Sequence, residues 1–418
     1  MKVFIYGRGK GSEYVKRCVA DSRFIFGYVD NNYDFDSDIE QSNCNIIKHE
    51  DLISKQIEFD YVIVSLMDWK SIYEWLIKSG VDRDKIIRFF SFEDADKQCY
   101  YSVLDPFKWR IELIWRKLKN EILPLADNIT YELYADCRIN DKEIPIIKSA
   151  DEAIDRIINE KISIARFGDG EFEIIAGRNK PVFQKADHRL GERLKEVLES
   201  EDDRLLIGIA NNYGKLDDYT DDAAKNIRKY LNHTVREEHL ALLKKDRVYY
   251  DAYLSRPYII YRNKSDSEQR FYHLKQIWNN KKVLVIEGDH TRTGVGNDLL
   301  SGAVEVSRII VPDKNAFDYY DIILRAAMTY GRNRLILISV GPTATVLAYD
   351  LALAGYWAID IGQIDIEYEW YIRKKGERCA VAGKIVNEIP AKENIINSNN
   401  VEDISAYKDQ IVFKVNVK

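Results

Sequence analysis

One pattern recurs along this chain and restricts its fold more than any other. A short, unbroken apolar run stops at a glycine or an acid, and a helical stretch follows. Met1–Tyr6 runs into Gly7-Arg8-Gly9-Lys10-Gly11-Ser12, and Phe24–Val29 stops at Asp30-Asn31-Asn32. Tyr61–Ser65 and Ile86–Phe89 continue the series. It resumes in Ile162–Arg166, Leu205–Ala210, Val283–Ile286, Arg308–Val311, Leu335–Val340 and Tyr356–Ile361. Strands that are apolar on successive residues are covered on both faces, and the helical spacers supply the covers. The pattern therefore predicts an α/β protein with mostly parallel sheets. Ligands of such sheets collect beyond the carboxyl ends of the strands.

At 418 residues the chain is long enough for two or three domains. The runs predict a small Rossmann-like domain over 1–95, a helical linker over 96–144 and a larger Rossmann-like domain over 145–418. The glycine turn after Tyr6, with Asp30 closing the next strand, outlines a dinucleotide-binding unit. Ser12 stands where its third glycine would fall, so an accessory domain with an empty crevice is the competing expectation. In the linker, Trp109, Ile111, Leu113, Ile114, Trp115, Leu118, Ile122 and Leu123 are interspersed with Lys and Arg. Pro106 and Pro124 bracket them, which predicts one helix between the prolines. Such a helix packs on a neighbouring domain or subunit, or touches a membrane surface.

Composition narrows the partners. A net charge of −6, from 62 basic and 68 acidic residues, argues against an electrostatic nucleic-acid binder. No apolar run approaches the ~20 residues of a membrane-spanning helix. The five cysteines, Cys18, Cys44, Cys99, Cys137 and Cys379, form no CxxC pair, so neither a zinc site nor a disulfide framework is expected. A reducing cytoplasm fits that usage. No repeat or low-complexity segment is present.

The strand ends carry the candidate chemistry. The first strand of the larger domain ends in Arg166-Phe167-Gly168-Asp169-Gly170-Glu171. Mg²⁺ and Mn²⁺ favour oxygen ligands and often take one or two carboxylates, leaving other positions to water and phosphate. Asp169 and Glu171 suit that role, with Arg166 on a phosphate or holding a carboxylate; equally, the acids could merely favour a helix N-terminus. A second loop, Glu287-Gly288-Asp289-His290-Thr291-Arg292-Thr293-Gly294-Val295-Gly296-Asn297-Asp298, has the composition to wrap a polar ligand, or is a capped polar connection. A third, Gly341-Pro342-Thr343, opens a helix whose amides could meet phosphate, with Thr343 as an alternative N-cap. It lacks the GK[ST] of a Walker A loop. Last, Gly362-Gln363-Ile364-Asp365-Ile366-Glu367-Tyr368-Glu369-Trp370-Tyr371 alternates acids with apolar residues. Read as a strand, it places Asp365, Glu367 and Glu369 on one face.

Taken together and in this order, ARFGDGE, EGDHTRTGVGNDL, GPTATVLAYDLA and DIGQIDIEYEWY resemble the bacterial glycosyltransferases of the GT-D fold over roughly residues 145–380. The resemblance implies a Rossmann-like catalytic domain, a UDP-linked sugar donor and Mn²⁺ or Mg²⁺ held by a DxE motif, here Asp169-Gly170-Glu171. Donor contacts are then expected from Arg166, Gly168, Arg292, Gly294, Gly296, Asn297, Asp298, Gly341, Pro342 and Thr343. Glu367, Tyr368 and Trp370 are expected at the acceptor. A general base for the acceptor hydroxyl is expected among Asp289, Glu287 and Asp365, and the sequence does not choose between them. A His often occupies the place of Gln363 in this family, which puts the base or the acceptor contacts in doubt. The resulting expectation is a metal-dependent hexosyltransferase of bacterial surface glycoprotein or polysaccharide synthesis, with a glycan or glycoprotein acceptor. It leaves open a homo-oligomer or partner enzymes. Two other classes compete: an NAD(P)-dependent oxidoreductase or epimerase seated in residues 1–95, and a non-catalytic scaffold of a glycosylation complex.

Overall fold

The computed structural model describes residues 1–30, 45–54, 57–135, 144–178, 184–386, 388–389 and 404–416. Asn31, Asn32, Cys44 and Cys137 lie outside them. The chain divides into two compact units, Met1–Ala126 and Asp127–Lys418.

The first unit is built on five parallel strands, β1 (Val3–Tyr6), β2 (Ile25–Val29), β3 (Asn45–Ile47), β4 (Tyr61–Val64) and β5 (Ile86–Arg88). Their spatial order is β3-β2-β1-β4-β5, with every pair parallel. The glycines after β1 serve this packing. Gly7 adopts φ +95°, and a Cβ on Gly11 would lie 1.8 Å from the Ser65 carbonyl oxygen. Helix α1 (Lys10–Cys18) can therefore lie against the end of β4 only with a glycine there.

The linker is more continuous than the prolines suggest. Helix α2 (Pro106–Lys117) starts at an Asp105 cap with Pro106 in its first turn. It passes through a π-turn, Leu118–Ile122, directly into α3 (Leu123–Ala135). Pro124 does not end the helix: the wider turn before it absorbs the missing N–H donor and the ring's clash with the preceding turn. Trp109 is fully buried on the first unit, its indole N–H donating to the Phe89 carbonyl at 2.7 Å while the two rings stack.

The second unit carries a nine-stranded sheet of β6 (Ile146–Lys148), β7 (Ser163–Phe167), β8 (Leu205–Ile209), β9 (Val248–Asp251), β10 (Lys282–Gly288), β11 (Glu305–Val311), β12 (Leu335–Ser339), β13 (Ala358–Asp360) and β14 (Ile411–Lys414). The order is β14-β11-β10-β12-β13-β7-β8-β9-β6, and all pairs are parallel. The sequence reading passed over β3, β6, β9 and β14. The first two and the last are edge strands with half-exposed faces, so their apolar signal is weak. Helix α4 (Ala150–Glu160) is set by a Ser149–Glu152 capping box, and α5 (Asp169–Ile175) follows β7 at once.

The acidic run after β13 is a helix, α7 (Ile364–Ile372), and not a strand. It follows α6 (Pro342–Leu353) in the chain. Its alternation of acids and apolar residues imitates a period of two, but Ile364 to Trp370 are all buried, so every face of the helix has a partner. Full burial erases the 3.6-residue signature.

Gly11→Ala should lower the stability of the first unit by about 1–3 kcal/mol, the range for overpacking a close contact. Gly9→Ser, which adds a favoured N-cap where nothing lies within 4 Å, should not lower it. Thermal melts of the two variants check this.

Candidate active site

Seven of the nine strands of the second unit send their carboxyl ends into one cavity of about 630 Å³. Its lining includes Gly168, Asp169 and Glu171 after β7, Asn212 after β8, Tyr253 and Arg256 after β9, and Gly288 after β10. Asp313 follows β11, Ser339 and Gly341 follow β12, and Asp360 and Gly362 come from β13.

Arg166 fastens the floor. Its Nε donates to the Asp360 carbonyl at 2.7 Å and its Nη2 to Asp360 Oδ1 at 2.7 Å. Its Nη1 donates to Ser255 Oγ at 2.6 Å and to the Ala252 carbonyl at 3.1 Å. This one guanidinium, rooted on β7, ties together β13 and the segment after β9. A Cβ on Gly362 would sit 2.2 Å from Arg166 Nη2, so the glycine, at φ +49°, makes room for it. Arg166 acts here as a positioning residue, because four of its five N–H donors are given to protein groups.

Asp169 and Glu171 stand in the first turn of α5. Glu171 Oε2 accepts from the Gly168 N–H at 2.7 Å. Burial, aided by the charges of Asp360 and Asp169, pushes the Glu171 carboxyl up to about 7, against the pull of its backbone hydrogen bonds. Among the described residues, no group of three or more His, Cys, Asp or Glu is placed to enclose a metal ion. The pair Asp169 and Glu171 therefore offers an open, oxygen-only donor set, which fits a hard divalent cation that keeps its other positions for water and phosphate.

Of the residues singled out from the sequence, the cavity gathers Arg166, Gly168, Asp169, Gly170, Glu171, Gly288, Thr291, Gly341, Pro342, Gly362, Gln363, Asp365 and Ile366. It does not gather the rest. Glu287 is fully buried, accepting from Arg308 Nη1 at 2.5 Å and from the Thr293 N–H at 2.7 Å. Asp289 is half exposed and paired with Lys414 at 2.8 Å. Asp365 reaches the wall, yet its oxygens accept from the Gly294 N–H at 2.8 Å, Asn297 Nδ2 at 2.9 Å and Lys384 Nζ at 2.5 Å. None of the three is thus presented as a free base. Arg292 donates to the Gly383 carbonyl at 3.0 Å, and Gly294, Gly296 and Asn297 form the loop that α7 anchors. Asp298 accepts from Tyr368 Oη at 2.6 Å and Lys275 Nζ at 2.8 Å. Glu367 accepts from the Ile259 N–H at 2.9 Å, Trp370 donates to the Cys379 carbonyl at 3.0 Å, and Thr343 is sealed inside the first turn of α6.

Sequence reasoning missed several lining residues. Arg178 pairs with Glu173 at 2.9 Å and Glu238 at 2.7 Å, Arg378 pairs with Asp222 at 3.1 Å, and Arg256 pairs with Glu388. Asp313 accepts from the His290 N–H at 2.9 Å and lies 2.6 Å from His290 Nδ1. These residues come from separate loops, so no local spacing links them. Only His290 stood in a loop already suspected.

Comparison with known proteins identifies the family and the fold. A family model described as glycosyltransferase GT-D fold matches residues 164–389, more than half of the chain. This chain belongs to that family. A second model, C2185-like, N-terminal, matches residues 1–87. A probable glycosyl transferase Gly of Streptococcus gordonii is 37% identical over 273 residues, 65% of this chain and 39% of the relative. The glycosyltransferase GlyD of Streptococcus pneumoniae serotype 4 is 34% identical over 271 residues, 64% of this chain and 32% of the relative. The chain thus spans well under half the length of either curated relative. Among solved structures, a domain of unknown function 1792 with a distinct glycosyltransferase fold is 32% identical, with a TM-score of 0.62, over 69% of this chain and 100% of that one. A glycosyltransferase of the same domain type from Streptococcus sanguinis is 35% identical, with a TM-score of 0.60, over 65% of this chain and 100% of that one. In this GT-D region the DxE carboxylates and the glycine turn after β12 meet in one cavity.

A pH signature follows from Glu171. Unfolded, its carboxyl titrates near 4.5; folded, near 7. Between these values only the folded state keeps the proton, so the stability of metal-free protein falls as pH rises through that window. Glu171→Gln should therefore raise stability, and with it the melting temperature, more at pH 8 than at pH 5, the difference in stability being on the order of 1–3 kcal/mol. Thermal melts in EDTA measure it, and added Mn²⁺ should stabilise wild type at pH 8 and not the variant.

Proposed function

We propose that this GT-D chain transfers a hexose from a UDP-sugar to a glycan acceptor, with Mn²⁺ or Mg²⁺, in the synthesis of a bacterial surface glycoprotein or polysaccharide. The observation that carries the reading is the meeting of Asp169, Glu171 and the Gly341 turn at the carboxyl ends of one parallel sheet. Asp169 and Glu171 would hold the cation, which when bound supplies charge to offset the diphosphate leaving group.

The protein's own groups do the rest. The amino end of α6 at Gly341 presents its positive dipole end to an anionic donor. Arg178, Arg256 and Arg378 line the same cavity, each paired with a carboxylate, so a donor's phosphates would compete with those acids for them. The Arg166–Asp360 lock keeps the ends of β7 and β13 in register, so that the donor and the carboxylates meet in fixed geometry. The cytoplasm suits the reading, since Cys18, Cys99 and Cys379 are free thiols.

Calorimetry of wild type with UDP and UDP-hexoses should show binding that depends on Mn²⁺ and is abolished by EDTA. Asp169→Ala should keep the fold, by circular dichroism, and lose donor hydrolysis and transfer by about 100-fold or more. Wild-type protein that binds no nucleotide or nucleotide sugar with Mn²⁺ present would falsify this reading.

A further inference from the structure

Tyr213, His239 and Tyr230 form a hydrogen-bonded series that ends at the cavity. His239, on the helix His233–Leu242, is 3% exposed. Its Nδ1 lies 2.8 Å from Tyr213 Oη and its Nε2 lies 2.9 Å from Tyr230 Oη. Phe172 stands on α5 with Asp169 and Glu171, and it stacks on the imidazole with ring centres 3.8 Å apart. Tyr230 ends the helix Asp221–Tyr230 and lines the cavity together with Asp169 and Gly170. Its Oη lies 3.4 Å from the Asp169 carbonyl oxygen.

Burial dictates which way the protons point. Tyr213 is sealed in the core, and among the described residues His239 Nδ1 is the one acceptor its hydroxyl reaches. A buried hydroxyl without an acceptor costs about 1–3 kcal/mol, so Tyr213 donates and Nδ1 accepts. An imidazolium has no lone pair with which to accept, so His239 is neutral. Burial favours the same state, pushing the imidazole pKa down to about 3. The single N–H of the neutral ring is then on Nε2 and donates to Tyr230 Oη. A phenol oxygen that accepts from His239 turns its own proton to the other side, toward Asp169 and the cavity. At 3.4 Å the Asp169 carbonyl holds that proton weakly, against ~2.7–2.8 Å for a full O–H···O bond. A ligand oxygen at ordinary distance takes it at little cost.

We propose that Tyr230 is a catalytic hydrogen-bond donor to the diphosphate leaving group of the nucleotide sugar, aimed from behind by His239 and Tyr213. The proposal rests on the sugar-transfer reading above. As the anomeric C–O bond breaks, its electron pair stays on the diphosphate oxygen. The acceptor oxygen bonds to the anomeric carbon, and its proton passes to solvent. Tyr230 keeps its own proton throughout, and its hydrogen bond strengthens as charge collects on the diphosphate. A donor already turned to the cavity needs no reorganisation at that moment. The place suits the role, because the Asp169 carboxylate beside it would hold the cation on the same diphosphate.

Nitrogen-15 NMR of the histidine-labelled, metal-free full chain tests the hydrogen-bond direction without turnover. His239, assigned by the loss of its signals in His239→Gln, should show a protonated Nε2 and an unprotonated Nδ1. The opposite tautomer, or an imidazolium, overturns the proposal. In sugar transfer, Tyr230→Phe should lower kcat by about 100-fold. Its donor KM and its calorimetric affinity for UDP with Mn²⁺ should stay near wild type, as for a contact made only in the transition state. Tyr213→Phe should lower kcat by less and shift the His239 proton toward Nδ1. His239→Gln, which keeps an N–H donor, should retain more activity than His239→Leu, with both folded by circular dichroism. Equal loss in those two variants overturns the aiming role. A Tyr230→Phe variant with wild-type kcat, or one whose UDP affinity falls as far as its kcat, overturns the donor role while wild-type transfer upholds the reading beneath it. Wild-type protein that transfers no sugar fells that reading and the donor role together.

Discussion

The Arg166–Asp360 pair is the interaction on which the rest of the candidate site depends. A parallel sheet delivers its loops to one edge, but strand pairing alone does not set where those loops stop relative to one another. Arg166 does so by spending its donors on a neighbouring strand end and on the segment after β9. Both partners are largely buried, at 14% and 5% side-chain exposure. Loss of one member would strand the other charge, which typically costs about 3–5 kcal/mol. Gly362 belongs to the same device, because any side chain there would occupy the guanidinium's place.

A second polar network performs a similar task further out. Asp365 and Glu369 lie one turn apart on α7, and both meet Asn297 and Lys384. Glu287, Arg308 and Thr293 hold the start of the same glycine-rich loop. Most of the acids in these motifs are therefore spent on holding loops in place, and Asp169 and Glu171 are left at the cavity. Buried carboxylates of this kind must be paired, since an unpaired charge in a low-dielectric interior is costly. Chemistry-bearing residue types near a site are thus not automatically chemical.

How much of this was legible depends on the range of each signal. The capping box at Ser149, the DxE pair and the glycine turn after β12 are written within a few residues, and local spacing suffices to find them. The acids of α7 misled because a helix buried on all sides shows no amphipathic period. Pro124 misled because a π-turn, which has no sequence signature, relieved the break. The arginines at the cavity and the Asp313–His290 pair went unread because each comes from a different loop.

By itself, the sequence determined the class of the fold, the parallel order of strand and helix, and the strand ends where ligands would collect. These follow from local apolar runs and from the handed geometry of crossover connections. It also carried enough ordered motifs to mark the GT-D resemblance. Only the tertiary structure decided which polar residues face the cavity and which serve as fastenings. That distinction rests on hydrogen-bond partners far apart in the chain, such as Arg166 with Asp360 and Glu287 with Arg308, and no local pattern records which partner a buried charge will find.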